Sequence, residues 1–414
     1  PESSGPRARR GGGPRTEADM YNKTMYELGS HRSVIRDLFE FGKKRAAEVG
    51  ADKVYDFSLG NPNVPAPDGV KEAAERLLAM PDNTVLHGYT SAQGDAEVRK
   101  AVADNINARF GAGVSPDLIY MTCGAAASLT ITLNALYEDG DEFILLAPFF
   151  PEYSVFVKAA GGTPVVVPFD EKTFAPDLSA LEKAVTPRTK GVIVNSPNNP
   201  SGTVYTRKTL DGIVSLLERK SAEYGRKIVL IADEPYRELV YDDIEVPYLP
   251  NLYPDTVVCY SYSKSLSLPG ERIGYIAISP RMTEKENVYA AVCGAGRALG
   301  YVCAPSMFQR VAAACVNERP DITAYRRNRD LIYSALTEMG YDCVHPDGAF
   351  YLFVRSPEPD ANAFSERAKT FGLLIVPGDT FGAPGYVRIS YCVGRDMIER
   401  SLPAFRDLIN TYKK

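Results

Sequence analysis

The sequence predicts an α/β fold: a large domain on a mostly parallel, seven-stranded sheet covered by helices on both faces, plus a smaller, discontinuous α+β domain. Three observations carry this. Short apolar runs alternate with longer amphipathic stretches, the pattern of parallel strands joined by crossover helices. Several runs, such as KIVLIAD at 227–233, are apolar on both faces, as strands of a doubly covered sheet must be. After about Pro305 the pattern changes to helical stretches followed by short strands.

In chain order, LIYMT (118–122) reads as the first strand of the large sheet, and AAASLTITLNALY as the helix after it. EFILLA (142–147) is a strand, followed by a helix near PEYSVFVKAAG. TPVVVPF and GVIVNSP are strands, and a helix runs from about Thr206 to Tyr224. KIVLIAD, TVVCYSYS (256–263) and RIGYIAIS (272–279) complete the seven. Two helical stretches span Ser306–Met339, then come strands at FYLFV (350–354), LLIVP and YVRIS, and a last helix from about Arg395 to Tyr412. The segment 20–60 is expected to pack with this second unit, so that 61–305 form the large domain and 306–414 the rest of the small one. Residues 1–19, rich in Gly, Pro and Arg, read as a flexible extension or a vector-derived remnant.

At 414 residues, 45% hydrophobic and 24% charged, the chain has a globular composition and can bury a large core. A net charge of −5 argues against nucleic-acid binding, which a basic excess normally marks. No apolar run approaches the roughly 18 residues of a membrane span. The seven cysteines lack Cys-x-x-Cys spacing and read as reduced thiols of a cytoplasmic protein. The three histidines form no metal-binding pattern, so no metal is expected.

In open α/β sheets ligands sit beyond the carboxyl ends of the strands, so the residues that follow each apolar run are the candidates. The first run leads into Gly124-Ala125-Ala126 and a helix, where backbone N–H groups can approach an anion. GVIVNSP leads into Asn199-Pro200-Ser201-Gly202. KIVLIAD ends on Asp233, with Tyr236 three positions on; a carboxylate ending a buried strand asks for a cationic partner. TVVCYSYS carries Ser261, Ser263 and then Lys264, with Arg272 eight positions later: hydroxyls and a guanidinium suited to a phosphate beside an amine. Singly, each has a structural explanation as a turn, a salt bridge or a surface charge. The information lies in their order, each at the end of a strand.

That ordered set resembles the class I and II, fold-type I, pyridoxal-phosphate-dependent aminotransferases, of aspartate-aminotransferase type. The likeness runs from about residue 21 to 410 and includes SLGNPNVPAP, HGYTSAQG and Tyr386-Val387-Arg388-Ile389-Ser390. It implies that Lys264 holds the cofactor as a Schiff base and moves the substrate's Cα proton, and that Asp233 pairs with the pyridinium nitrogen. Asn199 and Tyr236 would hydrogen-bond the ring 3-oxygen, and Phe150 would stack on the ring. Gly124, Ala125 and Ala126, with Ser261, Ser263 and Arg272, would hold the phosphate. Position 125 is Ala where some relatives offer a hydroxyl. Arg388 would clamp the substrate α-carboxylate, with Gly60 against it and Asn199 nearby. Tyr89 would reach the phosphate of the partner in a homodimer. Arg297 lies near where aspartate-specific relatives keep a second arginine, but the register of the resemblance puts Ala298 there.

The expected activity is transfer of an amino group from an L-amino acid, aspartate being the first candidate, to a 2-oxo acid such as 2-oxoglutarate by a ping-pong route. A carbon–sulfur β-lyase on the same fold is one alternative. A non-catalytic ligand-sensing module of aminotransferase type is another, disfavoured by the intact Lys264, Asp233 and Arg388.

Overall fold

The computed structural model describes residues 20–30 and 34–413; the expected extension at 1–19 lies outside the described residues. The seven apolar runs form one sheet, with strands β1 (Ile119–Thr122), β2 (Glu142–Leu146), β3 (Thr163–Val167), β4 (Thr189–Asn195), β5 (Val229–Asp233), β6 (Thr256–Ser261) and β7 (Gly274–Ile278). Their spatial order is β1-β7-β6-β5-β4-β2-β3. Only β7 is antiparallel, to β1 and β6 alike; the other neighbours are parallel. β1, β2, β5, β6 and β7 are buried at every position, which is why they read as unbroken apolar runs. Edge strand β3 is half exposed.

Two boundaries move in ways that matter for the site. The run ending at Ser263 stops as a strand at Ser261, and Tyr262–Ser265 form a helical turn whose start is capped by the Ser261 side chain. Lys264 therefore stands on a turn beyond the strand. The run from 272 begins as a strand only at Gly274, leaving Arg272 in the turn before it with φ 51°.

Helix Lys285–Leu299 was not expected; Gly294 and Gly296 weaken its signal. Gly296 has a packing reason, since a Cβ there would lie 2.2 Å from the Tyr120 hydroxyl oxygen.

The second unit carries an antiparallel sheet of β8 (Asp342–Val344), β9 (Tyr351–Arg355), β10 (Val376–Pro377) and β11 (Tyr386–Ser390), in the order β10-β11-β9-β8. The N-terminal segment joins it. Tyr55–Asp56 pair in parallel with Leu373–Leu374, Phe57 enters the core of Tyr351, Leu352 and Ile389, and Leu38 packs on Val376 and Phe381. The smaller unit is thus discontinuous. Helix Ser306–Ala314 sides with the large core, where Val311 and Ala312 belong to the cluster of Val102 and Ile106. We propose the domain boundary after it, near Pro320, rather than at 305.

Candidate active site

The antiparallel β7 brings its own start to the edge where the other strands end. Thr122 and Ser261 both pair with Gly274, and Asn195, Asp233 and Cys259 lie side by side. A cavity of about 310 Å³ lies at this edge. Its walls include Gly60, Ala125, Ala126, Phe150, Asn199, Asp233, Tyr236, Ser261, Ser263, Lys264, Arg272 and Arg388. Sequence reasoning had placed all of these in one site, although they span more than three hundred positions. Gly124 stands behind that wall at φ 83°, where a Cβ would lie 2.7 Å from an Arg272 nitrogen; only glycine lets the guanidinium approach this closely.

One end of the cavity suits an anion. The helix Ala125–Leu136 starts at Gly124 with no side-chain cap, so its first N–H groups are free to face a ligand. Arg272 donates to the Ser263 hydroxyl at 3.5 Å and to the Pro269 carbonyl at 2.9 Å, and Ser261 donates to Ser263 at 2.8 Å.

The middle holds a buried amine and a buried carboxyl. Lys264 Nζ donates to the Gly60 carbonyl at 2.6 Å. Burial pushes the Lys264 ammonium down to about 8; the Cys392 thiol opposes this, and the Arg272 and Arg388 charges reinforce it. Burial pushes the Asp233 carboxyl up to about 7, against the hydrogen bond from Tyr153. Tyr153 and, at 3.4 Å, Asn195 Nδ2 donate to Asp233 Oδ2, whereas Oδ1 is buried without a partner. An orphaned carboxylate oxygen in a cavity is costly unless a cation takes it.

At the far side the Arg388 guanidinium, buried and depressed by that burial, donates to Asn199 Oδ1 at 3.0 Å and to the Ser58 carbonyl at 2.5 Å. Its Nε has no partner, so donors remain for an incoming anion. The Asn199 oxygen is spent on Arg388, which leaves its amide N–H groups to face the cavity. Tyr236 lies 2.8 Å, hydroxyl to hydroxyl, from Tyr351.

Gly60 lines the cavity as expected, but its missing side chain answers to a different neighbour: a Cβ would lie 2.0 Å from the Tyr351 hydroxyl oxygen. Tyr89 is outside this cavity and 99% exposed. Arg297, at the end of its helix, and Ala298 are exposed and outside it too.

Sequence reasoning missed Tyr153, Asn195, Tyr351 and Ile35. Two left a readable signal. Asn195 ends β4 as Asp233 ends β5, and Tyr153 lies one helical turn beyond Phe150 in PFFPEY. Tyr351 and Ile35 arrive from distant segments and left none.

The opposite shifts of Asp233 and Lys264 make stability depend on pH. From its ordinary 3.8 up to about 7, Asp233 binds more proton in the native state, so its contribution makes stability fall as pH rises. Between about 8 and the ordinary 10.5, Lys264 binds more proton in the unfolded state, so stability rises with pH. The cofactor-free protein is expected to show a stability minimum near neutrality in urea titrations. Asp233→Asn should flatten the acidic limb and Lys264→Met the basic one. Unchanged limbs in both variants would contradict the burial argument.

A family model described as aminotransferase class I and II matches residues 52–405. The aromatic-amino-acid aminotransferase 2 of Thermococcus litoralis is 30% identical, over 92% of this chain and 96% of that one. A probable aspartate/prephenate aminotransferase of Thermus aquaticus is 33% identical, over 87% and 93%. The crystal structure of an aminotransferase from Eubacterium rectale superposes with a TM-score of 0.94 at 57% identity, covering 95% of this chain and all of that one.

Proposed function

Since the chain belongs to the class I and II aminotransferases and is a pyridoxal-phosphate-dependent enzyme, we propose that it moves the amino group of an L-amino acid to a 2-oxo acid by a ping-pong route in the cavity above. Aspartate with 2-oxoglutarate is the first pair to test, because relatives are named aspartate aminotransferases. The observation that carries the assignment of the cavity is that the Lys264 amine, an orphaned Asp233 oxygen and an Arg272-lined anion cradle share its walls. These features fit a group with a phosphate, a ring cation and a carbonyl. When bound, the cofactor supplies an electron sink for the pair left on the substrate's Cα.

In this reading the residues divide the work. Arg272, Ser261, Ser263 and the amides of Gly124, Ala125 and Ala126 hold the phosphate. Asp233 keeps a proton on the ring nitrogen through its free Oδ1. Asn199 and Tyr236 donate to the ring 3-oxygen, and Phe150 covers the ring face. Arg388 orients the substrate carboxylate so that its Cα faces Lys264. With its affinity for protons lowered, the Lys264 amine would take the proton from Cα and deliver it to the cofactor carbon that receives the amino group. Tyr89, so exposed here, reaches the phosphate of a second copy, and the working form is a homodimer. All seven cysteines are free, which supports a reducing, cytoplasmic setting. Among the described residues no helix is long and apolar enough to cross a membrane.

Single-turnover chemistry tests the activity. Each amino acid in turn is mixed with the holoenzyme in the absence of acceptor. Transfer leaves the aminated cofactor and one 2-oxo acid; ammonia and pyruvate released together would mean a carbon–sulfur β-lyase instead. Arg388→Lys should raise KM about ten- to a hundredfold for acidic and neutral amino acids alike, the cost of a charge-assisted hydrogen bond to a group all substrates share. Unchanged KM for neutral amino acids would remove Arg388 from the carboxylate.

A further inference from the structure

We propose that Tyr351 is a positioning residue that relays the charge of Arg388 to Tyr236, an inference that rests on reading the cavity as the cofactor site. Tyr351 opens β9 and is 2% exposed. Its hydroxyl lies 2.8 Å from that of Tyr236, and the Arg388 guanidinium sits over its ring, 4.6 Å from the centroid. Its hydroxyl also occupies the space that a side chain at position 60 would need. A phenylalanine would fill the same core among Phe350 and Tyr236. Only the hydroxyl accounts for the contact with Tyr236, and it is the atom that would lie nearest a Cβ at position 60, with the ring carbon behind it at 2.9 Å.

The direction of the relay follows from counting protons. Each phenol has one to donate. If Tyr236 gives its proton to an oxygen on the cofactor ring, the Tyr351 contact can be kept only with Tyr351 as donor and the Tyr236 oxygen as acceptor. Burial pushes the Tyr351 phenol up to about 12, while the Arg388 cation pulls it back. That cation makes Tyr351 the better donor. A donor behind Tyr236 polarises its O–H and strengthens the bond it makes in turn. The chain Arg388–Tyr351–Tyr236 therefore favours a negative charge on the ring oxygen.

The test is the pH at which the visible absorbance of the holoenzyme titrates, a property of the cofactor's proton affinity rather than of turnover. Tyr351→Phe should move that midpoint upward by about half to one pH unit, the worth of one net hydrogen bond. Gly60→Ala, whose Cβ displaces the hydroxyl, should move it the same way. In a Tyr236→Phe background Tyr351→Phe should add nothing, because the relay has lost its middle member. A midpoint unmoved by Tyr351→Phe would overturn the proposal. So would a full shift that persists without the Tyr236 hydroxyl, since Tyr351 would then act by another route. A wild-type protein that shows no visible band after addition of pyridoxal phosphate would overturn the cofactor site itself, and the relay with it, and is thereby distinguishable from failure of the relay alone.

Discussion

Lys264→Ala is expected to lower turnover by about 10⁴-fold or more while the protein stays folded. In the proposed reading two contributions vanish together: the covalent hold on the cofactor and the base that moves the Cα proton, the latter alone supplying about 10²- to 10⁴-fold. The fold should not suffer. Lys264 is half-buried, donates to the Gly60 carbonyl, and burial works against its charged form. Removing a buried, depressed amine takes away a cost near neutral pH. Rapid-mixing measurement of one half-reaction, beside a urea melt, separates the two effects. A variant that retains more than about a hundredth of the wild-type rate would mean that another group takes the proton.

Asp233→Asn should lower kcat/KM by about 10²- to 10⁴-fold, the range for losing a fixed electrostatic partner and the protonation it enforces. The change is nearly isosteric, and Tyr153 can still donate to the amide oxygen. What the amide lacks is negative charge at the position of Oδ1, the oxygen that has no partner among the described residues. Burial keeps the Asp233 carboxyl neutral up to about pH 7 until a cation arrives, so the site is poised to ionise when a protonated ring takes that oxygen. Near-normal kcat/KM in Asp233→Asn would make the residue a structural partner of Tyr153 and nothing more.

What could be read from the sequence, and what could not, follows from the physics of the sheet. A strand covered on both faces admits almost no polar residue, so Asp233 stood out at the end of KIVLIAD and Ser261 and Ser263 in the last turn of TVVCYSYS, and the fold places all three in one cavity. Lys264 and Arg272 were found from their spacing after those ends, although the turn that carries Lys264 and the positive φ of Arg272 were not legible. Tyr351 was hidden because a tyrosine in FYLFV reads as core, and its reach to Tyr236 depends on how the small unit docks against the large one. Gly60 was placed in the site for another reason, the approach of a substrate carboxylate; the structure adds the hydroxyl of Tyr351. The boundary proposed near Pro320 differs from the one at 305 because helix Ser306–Ala314 follows the change of pattern in sequence but packs backward onto the large core.

The most direct test of the account is chemical trapping. The holoenzyme is treated with borohydride, digested, and the cofactor-bearing peptide sequenced. The expected result is a single modified peptide spanning Ser263 and Lys264, with loss of the visible absorbance and of activity in step. A cofactor found on any other lysine, or one that dialyses away unreduced, would contradict the assignment of Lys264 and of the cavity around it.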